Sequence, residues 1–410
     1  MPEIKNKTQI NILIWNIILL MLSFFFLPPA SPGLTLLLAI FTISYSRNKL
    51  QNLKKNLRFI LLFSAIFWVY LFGMLFTHNV EKGWTVVILK FSFLAFPLIF
   101  GLLDTDFFQR KQMKFLMGAF ILITTSSVVF SLIHAAYEYF NHNDKQAFFY
   151  ARLSYLLHPS YYALYLNVAL IAVVCRLLVT KIVEKNNSKI LYWFLIPFYI
   201  VFLILLESKA GLIGLMSVIL MTLIHLIFTE RNIKSAGRLA ALSLITAGLT
   251  IVFIPDTTSR VNQVVNTIDE EEESAANHSA SAARFYLWEA AFKAYMEKPV
   301  IGHGSGDVKE QLMHQYKIQN NSRALEMRYD AHNQYLHSMV ATGILGLLSL
   351  LILVGFPMFF SLNGRILFYF LLGFLMAINL LVESMFERQA GVMFYAFFNS
   401  LLFFFHKPMK

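Results

Sequence analysis

Cysteine is almost missing from this chain: Cys175 is the only one in 410 residues, and it lies in an apolar run. A single thiol builds no intramolecular disulfide, no cysteine-based zinc site and no redox pair, so cysteine usage leaves the compartment open. Charge is scarce as well. Asp, Glu, Lys and Arg together make up 14% of the residues, against about 25% in a typical soluble domain. There is no His-Glu-x-x-His, no Gly-x-Ser-x-Gly and no multi-histidine metal spacing, which removes the common zinc-hydrolase and serine-hydrolase signatures. Neither an internal repeat nor a low-complexity tract is visible. What fills the chain is apolar: 58% hydrophobic residues, 16% aromatic, 41 of them Phe. A soluble core of this length cannot hide apolar side chains at that density, so the composition reads as a membrane protein.

Crossing about 30 Å of hydrocarbon takes roughly 17 to 25 helical residues. Apolar stretches suited to this can be placed about twelve times, at Ile10–Leu27, Gly33–Ser46, Phe59–Phe76, Thr85–Leu103, Phe115–Ala136, Leu156–Leu178, Ile190–Leu206, Ala210–Phe228, Leu239–Ile254, His332–Phe359, Ile366–Val382 and Gly391–Phe405. The expected fold is therefore all-α and polytopic. The second stretch is short and follows Pro28, Pro29, Pro32 and Gly33, a breaker cluster that reads as a tight turn between two membrane helices. The first also fits a signal peptide after Lys5 and Lys7, but its length favours a retained helix.

Basic residues orient the spans. With the N-terminus inside, twenty Lys and Arg fall in inner segments and five in the short outer loops, the bias expected for cytoplasmic segments. Both termini are then cytoplasmic. The net charge of +11 is accounted for as a topology signal, with no nucleic-acid-binding element in view. One outer connection, residues 255–331, is far longer than the others. The expected organisation is thus 1–254 with nine spans, 255–331 as a large periplasmic loop, and 332–410 with three more spans. Within the loop, Phe285, Leu287, Trp288, Ala291, Phe292 and Tyr295 recur at amphipathic spacing, as in a helix lying on a membrane surface. The acidic run Asp269–Glu273 reads as a solvated turn.

Candidate chemistry gathers at the outer boundary. Asp330, Ala331, His332, Asn333, Gln334, Tyr335 and Leu336 open the tenth span, and Gly343 and Gly346 follow within it, where they let a neighbouring helix approach closely. Asp330 is positioned to cap the helix, with His332 in its first turn beside Tyr335 and Leu336. An imidazole with an unperturbed pKa near 6.5 can take a proton from a hydroxyl; the same spacing also fits a histidine that merely bridges helix and headgroup. His337, one turn deeper, reads as structural. In the long loop, Arg284 carries a planar fork suited to phosphate. The run Gly302, Gly304, Gly306 lacks the strand and lysine of a phosphate loop and reads as a turn. Lys209, in the short turn Glu207–Gly211, is a cation on the side where cations are disfavoured, and a phosphate partner would account for it. Arg152, followed by His158, Tyr161 and Tyr162, and Arg388, in the turn Glu383–Arg388, are weaker cases of the same kind. Lys90, about five residues into the fourth span, is either a functional intramembrane ion or a side chain that snorkels to the interface; snorkelling is favoured. Asp104, Thr105 and Asp106 match an Asp-x-Asp metal and nucleotide-sugar pattern, but on the cytoplasmic side and without a nucleotide domain.

The set His332, Asn333, Tyr335, Leu336, Gly343, Gly346 and Leu347, preceded by Arg284, Trp288, Pro299, Gly302, Gly304 and Gly306, resembles the O-antigen ligase and O-antigen polymerase family of bacterial envelope enzymes. The resemblance covers roughly 207–405; the first half matches only as generic spans. It implies a GT-C-like, metal-independent, inverting glycosyltransferase without cofactors, in the bacterial inner membrane. The donor would be a glycan on undecaprenyl diphosphate, and in a ligase the acceptor would be a lipid A-core sugar hydroxyl. Repeat-unit polymerases and protein O-oligosaccharyltransferases share the signature, and a non-enzymatic transporter or flippase is the remaining alternative. By similarity His332 would be the catalytic base and Arg284 would contact the diphosphate, with Lys209, Asn333, Tyr335, Arg152 and Arg388 as further substrate-binding candidates. The family often carries arginine where this chain has Lys209, a point charge in place of a fork.

The charge bias makes a topological prediction: a periplasm-dependent reporter fused after Glu270 is active, and a cytoplasm-dependent one at the same position is silent. The opposite pattern would invert the orientation.

Overall fold

The computed structural model describes residues 7–104, 107, 110–179, 186–253, 282–364 and 366–406. The regular structure among these described residues is helical throughout. In chain order the helices are α1 (Lys7–Phe26), α2 (Ser31–Tyr45), α3 (Lys49–Gly73), α4 (Val80–Lys90), α5 (Ser92–Leu102), α6 (Arg110–His142), α7 (Tyr150–Leu153), α8 (Pro159–Val174), α9 (Asn186–Leu205), α10 (Lys209–Ile224) and α11 (Ile233–Phe253). They continue with α12 (Ala282–Glu297), α13 (Val308–Ile318), α14 (Ser322–Glu326), α15 (Gln334–Gly364), α16 (Leu367–Val382) and α17 (Gln389–His406).

Each of the twelve apolar stretches is helical. Among the described residues, seven helical segments are able by length and composition to cross a membrane, among them Lys7–Phe26, Val80–Leu102 and Gln334–Leu362, while Lys189–Leu205, Leu367–Val382 and Gln389–Phe404 are apolar but shorter. The fourth stretch is two helices, α4 and α5, meeting at Phe91. Of the long connection, 255–281, including the acidic run, lies outside the described residues; the remainder folds into α12, α13 and α14.

Burial explains the arrangement. Every residue of α8 is buried, as expected of a helix apolar on all sides. It packs against α6, α9, α10 and α16, and α15 packs on α16 and α3. Aromatic rings fill the centre: Tyr165 of α8 stacks on Phe394 of α17 with centroids 3.9 Å apart, and Phe24 meets Phe394 and Phe397 edge-on. Two buried tyrosine hydroxyls are partnered across helices. Tyr165 donates to the Ala390 carbonyl (2.9 Å) and Tyr395 to the Leu353 carbonyl (3.1 Å). Trp15, Leu36, Ile88 and Phe140 face outward, the surface that lipid would cover.

The helix α15 is broken at Thr342 and Gly343, where Gly343 adopts φ 64° and ψ −149°. Such a break strands backbone groups that hydrocarbon cannot solvate. Here they are taken up by Pro299–Gly304: His303 and Gly304 donate to the Val340 and Ala341 carbonyls (2.9 Å each), and Ile344 donates to the Pro299 carbonyl (2.9 Å). The glycines serve this dock. Gly302 and Gly304 have φ 71° and 111°, and a Cβ on Gly343 would run into the Val300 carbonyl. Two expectations are corrected. Gly343 admits a loop backbone, not a neighbouring helix, and the Gly302–Gly306 run is a fitted plug, not a loose turn. The buried side of α12 is Leu287, Ala290, Ala291 and Ala294 against the protein, while Phe285 and Phe292 point outward.

Gly343→Ala is expected to destabilise the protein by about 1–3 kcal/mol, the scale of forcing a side chain into a glycine-only conformation. Gly355→Ala on the same helix, where a Cβ meets open space, should leave the unfolding midpoint in detergent unchanged or raised. Equal midpoints for the two variants would show that the break at Gly343 is not strained.

Candidate functional site

The turn from Glu383 to Arg388, joining α16 to α17, organises the site. It is closed by its own backbone, Glu383 donating to Asn379 (3.0 Å), Glu387 to Ser384 (3.1 Å) and Gly391 to Arg388 (3.1 Å). Opposite it lies the segment leading into α15. The helix begins at Gln334, and Asn333 caps it by accepting the Leu336 amide proton at 3.1 Å. Asp330 does not cap; its carboxylate pairs with Lys309 at 2.8 Å. His332 therefore sits before the helix, not in its first turn, with φ 45°. A non-glycine residue held in the left-handed region is strained and persists only where its surroundings over-determine it. The strain aims the imidazole at the turn, and Nδ1 lies 3.0 Å from Glu383 Oε1.

The ionisation of Glu383 follows from its neighbours. Burial alone would raise its pKa, but the hydrogen bond and charge of His332, with Arg284 and His158, outweigh this and hold the carboxyl below its ordinary range. An ionised carboxylate only accepts hydrogen bonds, so Nδ1 of His332 carries the proton. When the ring is neutral, Nε2 bears the lone pair. The side chain remains 29% exposed, enough for a reactant to reach it.

Cations surround this pair. Arg284, on α12, is partly buried and interacts with Glu383 and Tyr150; burial pulls its pKa down and the Glu383 carboxylate pushes it back. Lys209 opens α10, whose first turn is capped by Ser208 accepting from Gly211 (3.2 Å) and pinned to α8 by Asn167 donating to the Gly211 carbonyl (3.0 Å). Lys209 and Arg284 lie close enough to repel each other. His158 caps α8, its Nδ1 accepting from Ser160 at 3.4 Å. Burial lowers its pKa, and its field includes Glu383, Arg388 and His332.

Below lies a second, fully buried cluster. Lys90 is 0% exposed and does not snorkel: its Nζ donates to Glu387 Oε1 at 2.8 Å and to the Phe386 carbonyl, over the ring of Tyr70. Gln334 donates to Glu387 Oε1 (2.8 Å) and accepts from the Phe386 amide (2.8 Å). His337 Nε2 lies 3.3 Å from Glu387 Oε2. Burial opposes ionisation of Glu387, but the charges of His337 and Lys90 hold its pKa well below the ordinary range.

Residues 194–351 match the family model described as O-antigen ligase. This segment, rather less than half of the chain, is similar to that family. A further similarity, 28% identity over 160 residues, is to an uncharacterized protein of Haemophilus influenzae; it covers 38% of this chain and 39% of that protein. The O-antigen ligase segment contains Lys209, Arg284, His332, Gln334 and His337. Glu383, Glu387 and Arg388 lie beyond it, and Lys90 and His158 before it, so the site is completed by the flanking helices.

His332 and Arg284 act on Glu383, Lys209 lies near Arg284, and Arg388 near His158. Other candidates are engaged elsewhere. Arg152 is largely exposed and paired with Asp144. The Tyr335 hydroxyl donates to the Ala377 carbonyl at 3.1 Å, a tie between α15 and α16, and Asn333 is occupied as the cap. Asp104 accepts from the backbone of Arg47 (3.0 Å) and Asn48 (3.2 Å) and from Asn52 Nδ2 (2.9 Å), so it serves as a cap for α3; Thr105 and Asp106 lie outside the described residues. Glu383 was not singled out from sequence. The signal was two carboxylates in one short turn of a chain with little charge.

The depressed pKa of Glu383 sets a pH dependence. Its contribution is complete above the unfolded value, about 4.3, and is lost as pH falls through the lower folded value. Glu383→Gln should cost about 1–3 kcal/mol at neutral pH and flatten the decline of the unfolding midpoint on the acid side. Parallel midpoint curves for the two proteins would contradict the pairing.

Proposed function

We propose that the protein transfers a glycan from undecaprenyl diphosphate to a sugar hydroxyl of lipid A-core at the periplasmic face of the bacterial inner membrane. The family match supports glycosyl transfer of the ligase or polymerase type. The observation that carries the finer reading is the His332–Glu383 pair beside two mutually repelling cations, Arg284 and Lys209.

In this reading the lipid anchors the donor diphosphate at the outer leaflet, between Arg284 and Lys209. Each cation interacts with it by about 4 kcal/mol at 4 Å in an effective dielectric of 20, before desolvation, and the interaction grows as charge develops on the leaving oxygen. The acceptor hydroxyl attacks the anomeric carbon from the opposite face. The C–O bond to the diphosphate breaks, the hydroxyl proton passes to Nε2 of His332, and ionised Glu383 stabilises the resulting imidazolium. Undecaprenyl diphosphate leaves with the bonding electrons and the anomeric configuration inverts. No step calls on a metal. Both termini are cytoplasmic in this reading, and residues 255–331 form the periplasmic connection.

A polymerase would run the same steps with a second lipid-linked repeat unit as acceptor. The family description favours the ligase. Lipopolysaccharide from a deletion strain separates them: bare core with free polymer on the carrier indicates a ligase, and core bearing one repeat unit a polymerase. His332→Ala should lower transfer by at least about 10²-fold, the scale of a lost general base, at unchanged membrane abundance. Normal surface polysaccharide in that variant would end the proposal.

A further inference from the structure

The proposed transfer uses Glu383 but leaves Glu387, four residues further along the same turn, without a task. The Lys90 side chain is 0% exposed and that of Glu387 12%. An ion pair this deep is weak evidence of stability, because apolar residues of similar volume often do as well or better once desolvation is counted. Nor is Lys90 open to a substrate or required by topology. Geometry offers another role.

Two segments, His332–His337 and Glu383–Glu387, face each other and are joined at two levels. The upper level is the single hydrogen bond from His332 to Glu383, partly open to water. The lower level is a set of buried bonds that hold both the backbone and the side chain of the turn: Gln334 grips the Phe386 amide and the Glu387 carboxylate, and Lys90 grips the Phe386 carbonyl and that same carboxylate. Gln334 is two residues from His332, and Phe386 three from Glu383. Moving the lower level shifts both ends of the upper bond.

We propose that Lys90 and Glu387 are positioning residues: the buried pair sets the spacing of the two segments so that Glu383 meets the imidazole of His332 in the geometry transfer needs. The left-handed backbone of His332 is the strained element this support holds in place. Lys90 comes from the junction of α4 and α5, far from His332 in sequence, so the helix pair α4–α5 becomes part of the transfer machinery without touching either substrate. The inference rests on His332 acting as the base.

The test is a double-mutant cycle in membranes of a deletion strain, reading transfer of the strain's own carrier-linked glycan per molecule of variant protein. Lys90→Met should lower turnover about tenfold or more, as small misplacements of reacting groups do, with the donor KM unchanged. In a Glu383→Gln background the same substitution should change turnover by less than about twofold, because the contact it positions is already gone. A full, multiplicative loss in that background, or wild-type turnover in Lys90→Met, overturns the proposal. Where Lys90→Met fails to accumulate, the cycle is run with Lys90→Met/Glu387→Gln, which leaves no unpaired buried charge. That variant should return to near wild-type abundance with turnover still low; recovery of both would assign the pair a purely structural role and refute positioning. His332→Ala runs alongside: transfer in that variant defeats the base reading itself, whereas its silence together with a multiplicative cycle defeats only the positioning.

Discussion

Hydrocarbon offers no hydrogen bonds, and that constraint governs how each polar group of this protein is placed. Where α15 breaks at Gly343, the freed carbonyls of Val340 and Ala341 are met by amides from the segment carrying Gly302 and Gly304. The hydroxyls of Tyr165, Tyr335 and Tyr395 end on backbone carbonyls of neighbouring helices. Lys90, which would be prohibitive alone, is enclosed by a carboxylate, a carbonyl and an aromatic ring. Irregular backbone and buried charge are tolerated because each has a fitted partner.

The site grows from the same rule. The turn between α16 and α17 is short, and its two glutamates divide the work. Glu387 faces inward, where Lys90, His337 and Gln334 satisfy it. Glu383 faces the boundary, where His332, Arg284 and His158 keep it ionised. An ionised acceptor on one ring nitrogen leaves the other nitrogen of His332 basic and partly exposed. Arg284 acts on Glu383 and Lys209, and Arg388 on His158; the proposed diphosphate binding rests on these cations.

The family segment, 194–351, carries the histidine and two cations but neither carboxylate. The partners of His332 and His337 come from the turn that follows it, and Lys90 from well before it. A comparison confined to the segment would therefore describe half of each pair. The α8 helix, buried along its whole length, is what lets these distant parts share one reference frame, since α10, α16 and α6 all rest on it.

The amino-acid sequence by itself determined the helical class, the location of twelve apolar stretches, and the residue types able to act on a diphosphate and a hydroxyl. Those are matters of composition, periodicity and charge, which are local. It also put His332, Lys209 and Arg388 at or beside the ends of apolar stretches, and Arg284 within the long connection. Tertiary structure alone decided which of them meet. Tyr335 and Asn333 share the neighbourhood of His332 in sequence, yet one binds a carbonyl and the other caps a helix, while Glu383, fifty-one residues away, takes the imidazole. Lys90 lay within reach of the interface by count, but the partner that keeps it buried comes from a turn 297 residues on. Pairing of this kind depends on which helices pack together, and single-sequence spacing does not encode it.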